Sequence, residues 1–460
     1  MNVLIIGSGP AGTFCARQLL DLGVKNITMV EMGHPMVERW CPETQSCSCR
    51  SCYVLEGEGG AGGFSDGKLP FSLLRGTQLE EIFDPALEPI LWEIDKEVVT
   101  HAGEGVWYEP TVQGDKDFSD NDMDLSSYPL RHVGSDGIRR FSIGMTQALV
   151  RDGVDVRFFT KAVSVDPLPE EMGGAWVGFS SNRRDAVARE RLLFDKVVIA
   201  SGIQGITWSE NLIQDLGLST KSGPAGIGLR VETADSGLSC MFDRFYDWKV
   251  MQQTGFIVTR SFCCNQQGFV VNQWHQEMGI RNVNGHSSLD PNERSNSSNF
   301  AMVAKMVPEA VGTGDPQDYV RDVARSINEI AQGHTVVQRV SDFMKQEPSE
   351  NLHPPYRTNV MARDGLDISR ALPAELYSAF HRFLEGLDAS IPTFDPEESI
   401  IYGPEVKYPA YRAPVDTANW QVYGHPGLYI VGDATGYVDS FVAAALTGVV
   451  AGRDIAKSLT

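Results

Sequence analysis

An α/β fold built on a parallel nucleotide-binding sheet is predicted by three short apolar runs, Val3-Leu4-Ile5-Ile6, Lys196-Val197-Val198-Ile199 and Leu428-Tyr429-Ile430-Val431. Each run leads into small residues: Gly7, Ala200-Ser201-Gly202 and Gly432. Near-continuous apolar stretches of this length, bounded by turn residues, are what strands buried on both faces require.

The first run enters Gly7-Ser8-Gly9-Pro10-Ala11-Gly12, and a helix pattern follows with Ala11, Phe14, Cys15, Leu19 and Leu22 on one face. A second strand, Ile27-Thr28-Met29-Val30, ends at Glu31, an acidic residue placed to bind ribose hydroxyls. Together these residues read as a Rossmann-like βαβ unit for a dinucleotide. Gly7 permits the tight turn, Gly9 lets backbone approach a pyrophosphate, and Gly12 lets helix and strand pack closely. The helix N-terminus offers unpaired N–H groups and positive dipole to the phosphates.

Composition narrows the remaining classes. The chain has 460 residues with 39 basic and 60 acidic side chains, a formal charge of -21. It has no basic run of the kind that marks a phosphate-backbone partner, so nucleic acid is not expected. No apolar stretch approaches the roughly 20 residues that span a bilayer, and the N-terminus enters a strand without a signal-like region. The expectation is a soluble cytoplasmic protein without a membrane partner.

The C-terminus distinguishes among dinucleotides. The run Gly427 to Val431 meets Gly432-Asp433-Ala434, and a small-residue helix pattern follows from about Ser440 to Ala456. A carboxylate there can hold the ribityl hydroxyls of a flavin, and the following helix can aim its N-terminus at the pyrimidine edge of the ring. NAD has no ribityl chain for Asp433 to hold.

In this order, and spread from residue 3 to residue 456, these elements resemble the glutathione-reductase-type FAD superfamily. Within it the chain is similar to a family of FAD-dependent dehydrogenases, through Gly59-Gly60-Ala61-Gly62-Gly63-Phe64-Ser65-Asp66-Gly67-Lys68-Leu69, Gly226-Ile227-Gly228-Leu229-Arg230-Val231-Glu232 and Ser261-Phe262-Cys263-Cys264. Asn284-Gly285-His286-Ser287 and Ser297-Ser298-Asn299-Phe300 continue the likeness. Two departures stand out. Asn265-Gln266-Gln267-Gly268 replaces the family's glycine-rich turn, and His286 stands where Met is usual. The resemblance implies a Rossmann-like FAD-binding domain with an inserted α+β substrate domain. It makes Ser201 and Gly202 part of an "ATG"-like segment, Val163 part of a strand bracketing the adenine, and Arg39 a contact to the phosphate or ribityl region.

The segment from Gly57 to Leu69 carries five glycines among residues 57 to 63, a composition suited to wrapping phosphate oxygens with backbone N–H groups. Gly62, Ser65, Asp66 and Lys68 are its expected cofactor contacts. Cys41, Cys47, Cys49 and Cys52 crowd the preceding loop. They are open to three readings: a metal site, although the spacing fits neither a paired CxxC ribbon nor a ferredoxin run; a redox dithiol at Cys49 and Cys52, activated by Arg50; or small packing thiols.

The domains are expected as a discontinuous FAD domain at 1–75, 145–225 and 400–460, a helical and loop excursion at 76–144, and a substrate domain at 226–399. A second nucleotide fingerprint is missing from the sequence, so NAD(P)H enters only as a candidate transient reductant. The expected chemistry is two-electron transfer between flavin and a small-molecule substrate, as dehydrogenase, oxidase or reductase. A flavin monooxygenase, or a flavin and cysteine subunit passing electrons to a partner, are the alternatives. His286 is the candidate general base. Cys264, Arg230, Tyr402 and Lys407 are further candidates on segments expected to face the flavin, and Lys407 and Arg412, with Tyr408 and Tyr411, suit a carboxylate-bearing substrate.

Overall fold

The computed structural model describes residues 1–41, 52–72, 84–109, 115–183, 186–358, 360, 362–407 and 410–458. Two seven-stranded sheets organise it. In the first, Asn2–Ile6 lies at the centre of five parallel strands, beside Lys196–Ile199 on one side and Asn26–Val30 on the other. Leu428–Ile430 extends the sheet beyond Lys196–Ile199, and Asp155–Arg157 closes the far edge, both in parallel register. Val3, Leu4, Ile5, Val197, Val198 and Ile199 are wholly buried, which is why these positions are apolar.

Two helices, Pro10–Asp21 and Phe441–Lys457, pack against each other over this sheet. Close packing needs glycine at the crossing of strand, turn and helix. A Cβ at Gly12 would stand 2.1 Å from the Gly7 carbonyl oxygen, and one at Gly7, whose φ is +109°, would stand 2.2 Å from that of Ala200. Gly12→Val is therefore expected to destabilise the first unit by about 1–3 kcal/mol through overpacking, read as a lower melting temperature. A wild-type melting curve from that variant would contradict this packing.

The second sheet is antiparallel, in the spatial order Val336–Arg339, Ile400–Lys407, Ala225–Ala234, Ser297–Met306, Ile257–Asn265, Lys249–Thr254 and Met123–Ser126. Pro316–Ile330 and Ala374–Ser390 bury apolar faces against it, through Val320, Val323 and Ile327 and through Phe380, Phe383 and Leu387. A hairpin of Phe269–His275 and Ile280–His286 stands against this sheet and faces the first unit. The mixed α/β architecture agrees with the expectation. Its boundaries differ in two places. Ile400–Lys407, expected with the nucleotide elements, pairs with Ala225–Ala234, because its side chains are buried from Ile400 through Val406. Met123–Ser126, expected in the excursion, forms the edge of the same sheet. No helix among the described residues is long and apolar enough to cross a membrane.

Candidate functional site

A groove runs between the two units, enclosing about 1360 Å³ of space that is partly open to solvent. Its glycine end is made by Gly7, Gly9, Pro10 and Ala11 and by the facing loop at Gly57, Gly60 and Gly62. No side chain caps the helix that starts at Pro10, so its first-turn N–H groups remain available at the groove.

Glu31 lines the groove and also ties its wall together. One carboxylate oxygen accepts from the Ser8 N–H at 3.0 Å and the Ser8 hydroxyl at 2.9 Å. The other accepts from Gly33 N at 2.9 Å and Gly57 N at 3.1 Å. The carboxylate thus joins the strand end, the first loop and the glycine-rich loop.

At the opposite end Gly432, Asp433, Asp439, Ser440 and Phe441 line the groove beside Ser201 and Gly202. Ser440 caps the helix Phe441–Lys457, its hydroxyl accepting from Ala443 N at 3.3 Å. Burial, with Asp439 nearby, raises the Asp433 carboxyl to about 7. No hydrogen bond from the described residues holds that carboxyl.

Several expected contacts take other positions. Arg39 does not reach the groove. It is fully buried, and its guanidinium donates to the carbonyls of Tyr53 and Val54 at 3.0 Å each, of Gly60 at 3.0 Å, and of Glu58. It holds the glycine loop in shape from behind, and burial lowers it to about 10. Val163 is half-exposed on Thr160–Pro167, in a separate three-stranded sheet, and does not line the groove. Of the glycine-loop residues, Gly62 and Ser65 line the groove, whereas Asp66 and Lys68 turn into a buried polar cluster.

In that cluster Lys68 Nζ lies 3.0 Å from Asp66 and 3.8 Å from Asp247, and donates to the Cys264 carbonyl. Burial opposes ionisation of Asp66, yet Lys68 and a hydrogen bond from Cys263 keep its carboxyl below the usual range. The Cys263 thiol donates to Asp66 at 2.9 Å, from a backbone φ of +51°. Cys264, the expected catalytic thiol, points the other way: it is fully buried and donates to the Trp248 carbonyl at 3.2 Å. The bulge between Phe262 and Asn265 shifts the strand's alternation, so Cys263 faces the polar cluster instead.

His286 sits beside Phe64, ring centroids 6.2 Å apart, and burial lowers its imidazole to about 4. It is therefore neutral and weakly basic at pH 7, which counts against the general-base role expected of it. Arg230 and Glu405 form a fully buried, two-pronged ion pair at 2.8 Å. Lys407, which lines the groove, shares the same carboxylate at 3.1 Å. Tyr402 donates to Glu232 at 2.7 Å inside the second sheet. Cys41 is exposed and Cys52 is buried, its sulfur accepting from Trp274 N at 3.4 Å, while Cys47, Cys49 and Arg50 lie outside the described residues, as does Tyr408. Among the described residues no three His, Cys, Asp or Glu are gathered to hold a metal.

Sequence reasoning named Lys407 on the groove's third wall but missed the residues that form the wall with it, Gln273, Asn282 and Asn284. A signal was present: Gln273 and His275, then Asn282 and Asn284, place polar residues two apart on strand-like stretches, the spacing of a single face.

Residues 245–408 match the family described as "FAD-dependent protein, C-terminal domain-like". The chain is 21% identical over 471 residues to an uncharacterized protein of Clostridium beijerinckii, covering 97% of this chain and 79% of that one. Among solved structures it is similar to a flavoprotein/dehydrogenase from Cytophaga hutchinsonii, at 12% identity and a TM-score of 0.45, covering 100% of this chain and 79% of that one. It is likewise similar to a geranylgeranyl bacteriochlorophyll reductase-like protein from Thermoplasma acidophilum, at 12% identity and a TM-score of 0.42, covering 100% and 78%.

Proposed function

We propose that this chain is an FAD-dependent oxidoreductase with a nucleotide-binding unit of the glutathione-reductase type, moving two electrons between a flavin and a small organic molecule. The observation that carries this is one groove joining an uncapped helix N-terminus, a glycine cradle and a carboxylate without a donor among the described residues. The family matched by residues 245–408 is described as FAD-dependent, which supports the same cofactor.

The residues present suit that group. The first turn after Gly9, with Pro10 and Ala11, would receive the pyrophosphate. The Asp433 carboxylate would accept ribityl hydroxyls. The N-terminus of the helix at Ser440 would meet the electron-rich edge of the ring. When bound, the flavin supplies hydride acceptance and donation, chemistry that no side chain offers. The chain's own contribution is to orient the two partners, exclude water between the units and set the local charge.

A pH dependence follows from Asp433. A hydroxyl donated to it favours the ionised form, so cofactor binding draws its carboxyl down from about 7 and releases a proton. Affinity of the apoprotein for FAD is expected to rise from pH 6 to pH 8. Asp433→Asn removes that rise and, by losing hydrogen bonds to a charged acceptor worth about 1.5–3 kcal/mol, weakens binding roughly 10- to 150-fold. Titration of apoprotein by flavin fluorescence measures both. Equal affinity at the two pH values, with D433N binding as wild type does, would sink the assignment.

A further inference from the structure

The wall of the groove opposite the glycine cradle presents hydrogen-bond donors and hides its acceptors. The orientation of each amide is forced by a donor that cannot be reversed. Val406 N donates at 2.7 Å to the oxygen of Asn282. The Asn282 nitrogen must then face the other way, and it donates to Gln273 Oε1 at 3.3 Å. That leaves Gln273 Nε2 with no partner among the described residues, on a side chain only 6% exposed that lines the groove. Asn284 is fixed in the same manner: its oxygen accepts from Gly285 N at 2.9 Å and from Arg230 at 3.4 Å, leaving its nitrogen without a partner among the described residues. Lys407 gives one hydrogen to Glu405 and lies 4.9 Å from the Phe262 ring centroid, with no further hydrogen-bond acceptor among the described residues.

Charge points the same way. Arg230 and Lys407 share the one carboxylate of Glu405, while Glu232, the other buried carboxylate on that sheet, is met by the hydroxyls of Tyr402 and Ser297. A desolvated ammonium beside unspent amide donors is stabilised by an anion. One ammonium with two neutral amides supplies a single positive charge, which suits a monoanionic carboxylate better than a dianionic phosphate.

We propose that the substrate is a small organic acid whose carboxylate is received by Lys407, Gln273 and Asn284. This rests on the flavoprotein reading, because it treats the remaining groove as the cofactor's. Gln273 and Asn284 act as specificity determinants: they offer the acid two donors, and a neutral amide in its place would bring an NH2 group against them.

The test is titration of the flavin-containing protein with acetate, benzoate and succinate, each paired with its neutral amide, following flavin absorbance. At least one carboxylate is expected to shift the spectrum saturably, with its amide weaker by at least tenfold. Lys407→Met and Gln273→Leu are each expected to weaken that carboxylate at least tenfold while the flavin stays bound in the wild-type ratio. The inference fails if no carboxylate perturbs the spectrum, if acid and amide bind alike, or if both variants bind the acid as wild type does. It also fails if the variants shed flavin yet keep acid affinity once reloaded, since the donors would then serve the cofactor's own carbonyl edge. Absence of flavin from the wild-type protein, with none taken up, is a separate result and overturns the cofactor reading itself.

Discussion

Replacing Arg39 with methionine is expected to cost about 3 kcal/mol or more of stability and to abolish retention of the cofactor. Four carbonyl oxygens, from Tyr53, Val54, Glu58 and Gly60, converge on one buried guanidinium. Methionine fills most of the volume but donates nothing, so several buried acceptors lose their partner, each at about 1–3 kcal/mol. Arg39→Lys is expected to recover only part of the loss, since an ammonium cannot reproduce the planar fork. Thermal unfolding and flavin content, measured together on both variants, decide this. Wild-type melting and wild-type flavin content in R39M would show that the loop holds its shape unaided.

The second large effect is expected at Arg230. Arg230→Met leaves Glu405 buried beside Lys407 alone, and breaking a buried pair by removing one partner costs about 3–5 kcal/mol. Lys407 still neutralises the carboxylate in part, so the lower end of that range is expected. Burial opposes ionisation of Glu405, but Arg230 and Lys407 hold its carboxyl below the usual range. Its contribution is thus present above the unfolded carboxyl's pKa and is lost as pH falls through the depressed folded value. The double variant Arg230→Met with Glu405→Leu is expected to be more stable than R230M, because the fully buried carboxylate leaves with its partner and the charge that remains, Lys407, lines the groove. A double variant less stable than R230M would show that Glu405 is held chiefly by other groups.

How far the sequence revealed this arrangement depended on how local each signal was. The strand, turn and helix from Asn2 to Asp21 were legible because period, glycine spacing and apolar face all lie within twenty residues. The same holds for Leu428–Ile430 and the helix after it. Ile400–Lys407 was misplaced because its partner, Ala225–Ala234, is some 170 residues away, and nothing local marks an antiparallel pairing of that span. Arg39 was read as a ligand contact for a similar reason: its partners are backbone carbonyls, which carry no residue-type signature. The choice of Cys264 over Cys263 turned on a bulge that reverses which thiol faces inward, and strand alternation alone does not show it. The donor wall was within reach, since polar residues two apart on the hairpin were visible, but only the partners at Val406 and Gly285 reveal which way each amide points.

The central claim is that the groove is built for FAD. The most direct measurement is the visible absorption spectrum of the gently purified protein, with the released chromophore identified and counted against protein. One equivalent of FAD per chain, retained through gel filtration, is the result expected. A colourless protein that takes up no FAD when it is added would contradict the account.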